Sequence, residues 1–220
     1  MQNYRRILEV AMTPIKNSLF LATTATLIAA VIGTLLSYIN VRKKFKARWI
    51  LDLTIMLPFI LPGIVVGVAI LIGFSSGFLI LSGTWMIMVI AFFIRRMPYI
   101  FRSTTASLSQ IDIAVEEAST ITGASWMTTF RKITLPLMAP GILAGAVISF
   151  STLMGELSTT VILYSAHWKT ITVAIVEYLF SATIGPAYAL GTILIVLVLS
   201  AIALANRILG RKMSQMFKMV

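Results

Sequence analysis

The chain has 220 residues, of which 59% are apolar and only 11% are charged, and its mean hydropathy is +0.97. A soluble domain carries roughly 25% charged residues, so this composition indicates a protein whose outer surface faces lipid. Nucleic-acid-binding proteins can share the net charge of +11, but not so apolar a composition. Anionic lipid headgroups and membrane topology explain the charge better. The sequence has no cysteine, which excludes disulfides and thiolate chemistry.

Five apolar stretches are long enough for helices that cross a bilayer, which takes about 20 residues. They are Ile15–Ile39, Ile50–Ile72, Phe78–Phe101, Leu137–Leu163 and Pro186–Leu204. Another apolar stretch, Thr170–Phe180, is short for a full crossing, so we expect an interfacial or re-entrant helix there. The sequence therefore predicts an all-α, polytopic membrane helix bundle with about five transmembrane helices in a single domain.

The positions of lysine and arginine predict the orientation of the bundle, because cytoplasmic loops carry an excess of both. Fourteen of the 18 lie on one side of the predicted spans: Arg42, Lys43, Lys44, Lys46, Arg48, Arg95, Arg96, Arg102, Arg131, Lys132, Arg207, Arg211, Lys212 and Lys218. We therefore expect the cytoplasm on that side of the membrane, with the N-terminus outside and the C-terminus inside.

An external N-terminus is hard to insert without a preceding span. This favours a fragment, or the C-terminal half, of a longer and tandem membrane protein. The alternative is a five-span protein whose first helix inserts as a reverse anchor.

A polar segment at about 103–136 separates the third and fourth spans and has helix signals of its own. We expect Asp112 in the first turn of one helix, Gly123 at its end, and a second short helix at about Ser125–Ile133 that stops before the next span. A simple connection does not need about 30 residues in two capped helices. We therefore expect a unit that docks against another protein, with a solvated linker as the alternative.

The same segment carries a spaced motif. It consists of Glu117-Ala118-Ser119, three residues, Gly123, nine residues, and Ile133-x-Leu135-Pro136. This pattern resembles the cytoplasmic EAA signature of the permeases of binding-protein-dependent ABC importers. Ser119 replaces the second alanine, which is a small-for-small change. The resemblance covers about residues 15–207 and implies the MetI-like fold of ABC importer permeases and a place in the bacterial inner membrane.

By this resemblance, segment 103–136 is a cytoplasmic coupling loop that sits in a cleft of a separate ATP-hydrolysing subunit. The coupling residues would be Glu116, Glu117, Ala118, Ser119, Gly123, Ile133, Leu135 and Pro136. The chain lacks a GxxxxGK[ST] phosphate loop, so we expect ATP and Mg to be bound by two partner ATP-binding cassette subunits and no cofactor or catalysis in this chain. The other implied partners are a second permease copy or half and an extracytoplasmic substrate-binding protein.

Three residues inside the spans are candidates for a substrate path. Pro58 and Pro62 should kink or break the second span, either as a hinge in a pore-lining helix or as a static kink. Glu156 falls toward the outer part of the fourth span, where an ionised side chain costs about 2.5–3.5 kcal/mol near the bilayer centre. We therefore expect it to face the protein interior and to pair with Ser158, Thr159 or a positive group.

Two short runs narrow the resemblance. Arg95-Arg96-Met97-Pro98-Tyr99 and Gly155-Glu156-Leu157 are similar to runs in permeases of the ferric iron and phosphonate branch. This implies ATP-driven import of a small substrate, ferric iron or a small anion, by alternating access. The alternatives are an intramembrane enzyme, for which Glu156 stands almost alone, and a membrane scaffold, which would not need the signature spacing. His167 has no neighbouring ligand, so no metal site is expected.

Overall fold

Helices account for the architecture of the residues described by the computed structural model, which are 12–43, 45–182 and 184–217, with side chains to residue 207. The α-helices are α1 Met12–Arg42, α2 Arg48–Ile60, α3 Gly63–Gly73, α4 Trp85–Ser109, α5 Ile113–Ile121, α6 Trp126–Thr129, α7 Leu135–Met154, α8 Thr160–Leu163, α9 Ile171–Phe180 and α10 Ile184–Phe217. A π-helical turn covers Phe130–Thr134, and a 3₁₀ turn covers Ala166–Trp168. Within these ranges there is no strand, so the all-α prediction is confirmed.

The bundle contains enough apolar helix to cross a membrane several times. Three segments are long and apolar enough by themselves, namely Met12–Arg42, Trp126–Met154 and Ile184–Arg207, and the bent pair α2 and α3 can form a fourth. Helix α4 contains three arginines, yet its 25 residues pack extensively against both α1 and α7. Three apolar spans, or four with the bent pair, are therefore present among the described residues, and α4 packs beside them at the place of the third predicted span.

Two groups of aromatic rings mark the ends of the bundle. The Phe20 ring lies 5.5 Å from Trp85 and 5.9 Å from Trp168, whereas the Tyr38 ring lies 5.8 Å from Trp126. Phe20 and Tyr38 are separated by about 27 Å of α1 at 1.5 Å per residue. That distance is close to the hydrocarbon thickness of a bilayer, about 30 Å, at whose interfaces such rings concentrate. We call these ends the Phe20 end and the Tyr38 end.

Small residues on α7 allow α4 and α7 to pack closely. Ser103 Oγ on α4 donates a 2.7 Å hydrogen bond to the Gly141 carbonyl, and a Cβ on Gly145 would lie 2.7 Å from the Ile100 Cα. Close backbone approach through small residues is a common way for helices to associate inside membranes. These contacts fix α7 antiparallel to α4, so that α7 returns from the Tyr38 end toward the centre.

The second span is broken rather than simply kinked. Its two helices, α2 and α3, differ in direction by 108°. Pro58 lies inside α2, whereas Pro62 forms the break between Ile60 and Gly63. Leu61 is extended, with ψ 143°, because a following proline disfavours the helical conformation. The predicted break is therefore confirmed, and Pro62 rather than Pro58 causes it.

Two predicted spans differ from the observed helices. The third span, expected over Phe78–Phe101, begins only at Trp85 and runs on to Ser109, because residues 74–84 form turns in which Phe74 O accepts a bond from Leu81 N. The fourth, expected over Leu137–Leu163, stops at Met154. Residues 155–159 then interrupt the helix before α8 begins, so a second pass of the bundle is also broken.

The segment before Pro136 differs from the prediction as well. A helix was expected to end before Leu135, but α6 continues through the π-helical turn Phe130–Thr134 directly into α7. In a regular α-helix a proline ring clashes with the carbonyl four residues earlier, and the wider π turn accommodates this locally. The segment is therefore continuous with a membrane-length helix.

Candidate functional site

The first candidate region is a compact projection at the Tyr38 end, which we call the knob (residues 112–134). Asp112 caps α5 by accepting a 3.0 Å bond from Ala114 N, one position before the first turn in which it was expected. Ser125 caps α6 through Thr128 N at 3.3 Å. Gly123 joins the two helices with φ +85°, a conformation that favours glycine. The expected helix–glycine–helix unit is present.

The knob exposes part of the predicted motif together with large apolar side chains. Glu117, Ala118 and Gly123 are all exposed. Around them lie exposed apolar side chains, with Ile121 at 87% exposure. The others are Ile113, Val115, Trp126 and Met127. Apolar side chains grouped on a polar connection are typical of a surface that another protein covers.

Glu116 has a different position from its neighbour Glu117, because it turns back toward α1. Its Oε1 lies 2.9 Å from Arg42 Nε, and its Oε2 accepts a 3.2 Å bond from Tyr38 OH. Trp126 Nε1 donates to Tyr38 OH at 2.9 Å, which fastens α6 to the same point. Glu116 therefore ties the knob to the end of α1 and does not lie on its exposed face.

Most of the other motif residues make internal contacts in the knob or where it joins α7. Ser119 Oγ and Thr129 Oγ1 share a 2.9 Å hydrogen bond that joins α5 to α6. Ile133 is half-buried, and Leu135 packs against the apolar cluster around Tyr38. Pro136 is exposed in the first turn of α7. The structure thus divides the predicted motif into an exposed face and a set of internal anchors.

The second candidate region is a buried group of charged residues around Glu156, which is 6% exposed. Glu156 Oε1 lies 2.8 Å from Arg95 Nη1 and accepts a 3.0 Å bond from Thr159 N, while Oε2 accepts a bond from Arg96 Nη2. We call Arg95, Arg96, Glu156 and Thr159 the arginine cluster. The expected positive partner and Thr159 are both present, whereas the Ser158 side chain faces Gly63.

The arginine cluster lies near the middle of the bundle. Arg95 follows Trp85 by about 15 Å along α4, roughly half of the distance between the two aromatic ends. The prediction that Arg95 and Arg96 mark the cytoplasmic side of the membrane is wrong, because both side chains are largely enclosed and pair with Glu156 inside the bundle. Glu156 lies two residues beyond the end of α7 at Met154, within the break at 155–159.

The cluster also joins the two broken passes. Arg95 Nη1 donates to Thr159 Oγ1 at 2.6 Å, and Thr159 Oγ1 donates to Gly63 O at 3.2 Å. A Cβ on Gly63 would lie 2.4 Å from Arg95 Nη1 and 2.7 Å from Ser158 Cβ, so a larger residue would force these side chains to move. The break at Pro62 and the break at 155–159 therefore meet at the arginines, which brings two predicted path residues together. Pro58 lies one turn earlier in α2.

The charges in the cluster do not balance. Among the residues that the structure describes, two guanidinium groups face one carboxylate, which leaves one excess positive charge. The Nε atoms of Arg95 and Arg96 are buried, and neither has a hydrogen-bond partner within the described part of the chain. Uncompensated charge and unpaired donors at this depth are costly, and such groups in membrane proteins are a reason to expect a functional site.

The sequence matches the family described as “Binding-protein-dependent transport system inner membrane component” over residues 25–215. The chain belongs to this family. Its members are membrane components of transport systems, so the predictions of a transport protein in the inner membrane and of the signature family are confirmed.

Known relatives of this inner membrane component agree with that assignment. The chain is 33% identical to the ferric transport system permease protein FbpB of Actinobacillus pleuropneumoniae, over 88% of this chain and 28% of the relative. It is 32% identical to the putative 2-aminoethylphosphonate transport system permease protein PhnV of Salmonella paratyphi A, over 74% of this chain and 62% of the relative. The predicted ferric and phosphonate branch is confirmed, and the chain spans less than two thirds of either relative.

A solved structure supports the predicted fold of this inner membrane component. The inward-facing MetNI methionine ABC transporter superposes with a TM-score of 0.74 over 90% of this chain and 94% of that one, at 20% identity. The MetI-like fold prediction is thereby confirmed.

Sequence reasoning missed several residues of both regions. Tyr38, Arg42 and Trp126 anchor the knob, and no local pattern singles them out. Arg95 and Arg96 had a detectable signal, because paired arginines about ten residues inside a membrane-length apolar helix are too costly to leave unpaired. Among the described residues there is no group of three or more metal-ligating side chains.

Proposed function

We propose that this chain is the channel-forming permease subunit, or half-subunit, of an ATP-driven, binding-protein-dependent importer. The observation that carries the proposal is the knob, which has an exposed face around Glu117, Ala118 and Gly123 and a rigid connection to two long helices. Membership of the family supports the same assignment. The exposed face would be the surface that a separate ATP-hydrolysing subunit grips.

The contacts of the knob suggest how motion would pass into the bundle. The knob is tied to α1 by the Arg42–Glu116 ion pair, and it continues into α7 through the π-helical turn. Helix α7 is about 30 Å long at 1.5 Å per residue and ends next to Glu156. Moving the knob would therefore tilt α1 and α7 together and displace the arginine cluster, which gives alternating access.

The proposed partners follow from this arrangement. Two ATP-binding cassette subunits would bind ATP and Mg and contact the knobs of this chain and of a second permease copy or half. An extracytoplasmic substrate-binding protein would deliver substrate at the Phe20 end. The Tyr38 end would then be cytoplasmic, in keeping with the basic residues Arg42, Lys43, Arg131 and Lys132 beside it, with the N-terminus outside and the C-terminus inside.

We propose that the substrate path runs past the arginine cluster. Discontinuous helices near the bilayer centre commonly form transporter binding sites, and here the breaks at Pro62 and at 155–159 meet at Glu156. Pro58 would belong to the half-helix that moves. The substrate would be a small solute, of the size of those handled by the ferric and phosphonate relatives.

The proposal is tested by cross-linking from the knob. Because the sequence has no cysteine, Ala118→Cys introduces a single thiol, and Ser76→Cys, in the connection 74–84 at the opposite end, is the matched control. In membranes that contain the whole transporter, a bifunctional maleimide–amine reagent should capture an ATP-hydrolysing subunit from Ala118→Cys and not from Ser76→Cys. Labelling of Ala118→Cys by a membrane-impermeant maleimide in intact cells would contradict the proposal.

A further inference from the structure

The arginine cluster has more positive charge and more hydrogen-bond donors than its own residues use. We propose that Arg95 and Arg96 form a binding site for an oxyanion group of the transported solute, and that Glu156 fills this site when no solute is bound. The inference rests on the proposed function, because it takes the cluster to lie on the substrate path. It adds the chemical class of the ligand and the residues that recognise it.

The donors in the cluster suit an oxyanion. A guanidinium group has five N–H donors in a plane that matches two oxygens of a carboxylate, phosphonate or similar group. Glu156 already takes one bond from each arginine and one from Thr159 N. The buried Nε–H groups of Arg95 and Arg96 have no acceptor among residues 12–43, 45–182 and 184–207. A ligand with three or more oxygens could accept from both arginines and from these free donors.

The local field also favours an anion. Helix α3 begins at Gly63, and its first N–H groups carry the positive end of the helix dipole. The closeness of Gly63 to Arg95 Nη1 brings this positive end next to the guanidinium groups. A single carboxylate neutralises only one of the two arginines. A group such as a phosphonate, by analogy with a phosphate of about −1.5 to −2 charges, would neutralise both.

The same field disfavours a bare metal cation at this point. Glu156 is the one carboxylate in the cluster, and both of its oxygens are engaged by arginines. A multiply charged cation would have to displace two guanidinium groups to reach a single carboxylate. Of the two substrate classes in the branch, the cluster therefore fits a solute that presents oxyanion oxygens.

Displacement of Glu156 would also loosen the contact between the two breaks. The main-chain N–H of Thr159 donates to Glu156 Oε1, and Thr159 Oγ1 in turn donates to Gly63 O. An incoming oxyanion that takes over the arginines would free Glu156, and the hydrogen bond from Thr159 to Gly63 would then lose the support that Glu156 gives to Thr159. Binding of the solute is thereby linked to the separation of the two broken passes.

The decisive variant is Glu156→Gln, which keeps the shape of the side chain and removes its charge. The whole transporter, with its ATP-hydrolysing subunits and in lipid nanodiscs, is titrated with methylphosphonate, molybdate or acetate. Sodium chloride of equal ionic strength is the blank, and the readout is the thermal midpoint. We expect the apparent affinity for at least one oxyanion to be about tenfold or more tighter in Glu156→Gln than in the wild type, because one charged hydrogen bond is worth about 1.5–3 kcal/mol.

Two further variants keep the test decisive. Adding Arg95→Gln to Glu156→Gln should abolish the gain, and Glu156→Asp, which keeps the charge on a shorter side chain, should give an intermediate affinity even if Glu156→Gln does not assemble. Equal responses of the wild type and these Glu156 variants to every oxyanion would overturn the proposal. Stabilisation of the wild type by ferric chloride alone, lost in Glu156→Gln, would overturn it too.

The cross-linking from Ala118→Cys does not depend on the result of the oxyanion titration, so each proposal can fail without the other.

Discussion

The knob and the arginine cluster use the same pair of residue types in opposite ways. In the knob, one arginine meets one glutamate, Arg42 with Glu116, and the charges cancel. In the cluster, Arg95 and Arg96 share Glu156, and one charge is left over. The neutral pair at the end of the bundle behaves as a permanent tie between helices. The unbalanced group at the centre is arranged to exchange its partner.

The comparison predicts the largest effect at the centre of the bundle. Glu156→Ala leaves two buried guanidinium groups without a counter-charge, and removal of one partner of a buried ion pair costs about 3–5 kcal/mol. Glu177→Ala is the matched control, because Glu177 pairs with Lys169 at 2.6 Å while both side chains are substantially exposed. Exposed pairs contribute about 0–1 kcal/mol. The free energy of unfolding in mixed micelles should fall much further in Glu156→Ala than in Glu177→Ala. Equal losses would contradict the prediction that burial makes the Glu156 pairs matter more.

The next effect is expected at the turn of the knob. Gly123→Val forces a branched side chain into a left-handed conformation, at about 1–2 kcal/mol, and should separate α5 from α6. We expect substrate-stimulated ATP hydrolysis to fall to the basal rate while insertion into the membrane is unchanged. Gly77→Val has the same strain, with φ +93°, in the connection at the opposite end. Coupling that survives in Gly123→Val, or is lost equally in Gly77→Val, would contradict the assignment.

A smaller effect should separate the internal anchors from the exposed face of the knob. Arg42→Gln removes the ion pair with Glu116, and a hydrogen bond to a charged group contributes about 1.5–3 kcal/mol. Transport should decrease while the cross-link from Ala118→Cys persists, because the exposed face is intact. Glu117→Gln should do the reverse and weaken the cross-link. If Arg42→Gln and Glu117→Gln changed transport and cross-linking in the same way, the division of the motif into anchors and an exposed face would be wrong.

The smallest effect is expected at Ser119, which stands where the signature has alanine. Ser119→Ala removes only the hydrogen bond to Thr129, which contributes about 0.5–1.5 kcal/mol. We expect the thermal midpoint to fall slightly and coupling to stay at the wild-type level. A large loss of ATP-coupled transport would instead place Ser119 on the docking face.

Much of this architecture follows from local properties of the sequence. Hydropathy predicts the helices because the bilayer requires a minimum apolar length, and the backbone geometry of proline predicts a break at Pro62. The span predicted from hydropathy is wrong over 78–84, because Phe78, Leu79 and Ile80 are apolar but exposed, and they lie outside any helix. Composition alone does not distinguish an apolar connection from the first turns of a span.

The sites were predictable to different degrees. The knob follows from caps, Gly123 and motif spacing, all of which lie within about 25 residues of chain. The pairing of Arg95 with Glu156 joins residues 61 positions apart, and it depends on the packing of α4 against α7. Pro62 likewise predicts that the second span breaks, but not the angle of 108° between its two helices.

The π-helical turn between the knob and α7 has a consequence for rotation. A π turn contains one residue more than an α turn, and each residue of an α-helix advances the direction of its side chains by about 100°. Deleting one residue from Phe130–Thr134 would convert the π-helical turn to regular α-helix. The knob would then rotate around the axis of α7, and the length of α7 itself would not change. One extra residue in the π-helical turn thus determines the direction in which the knob points around the axis of α7.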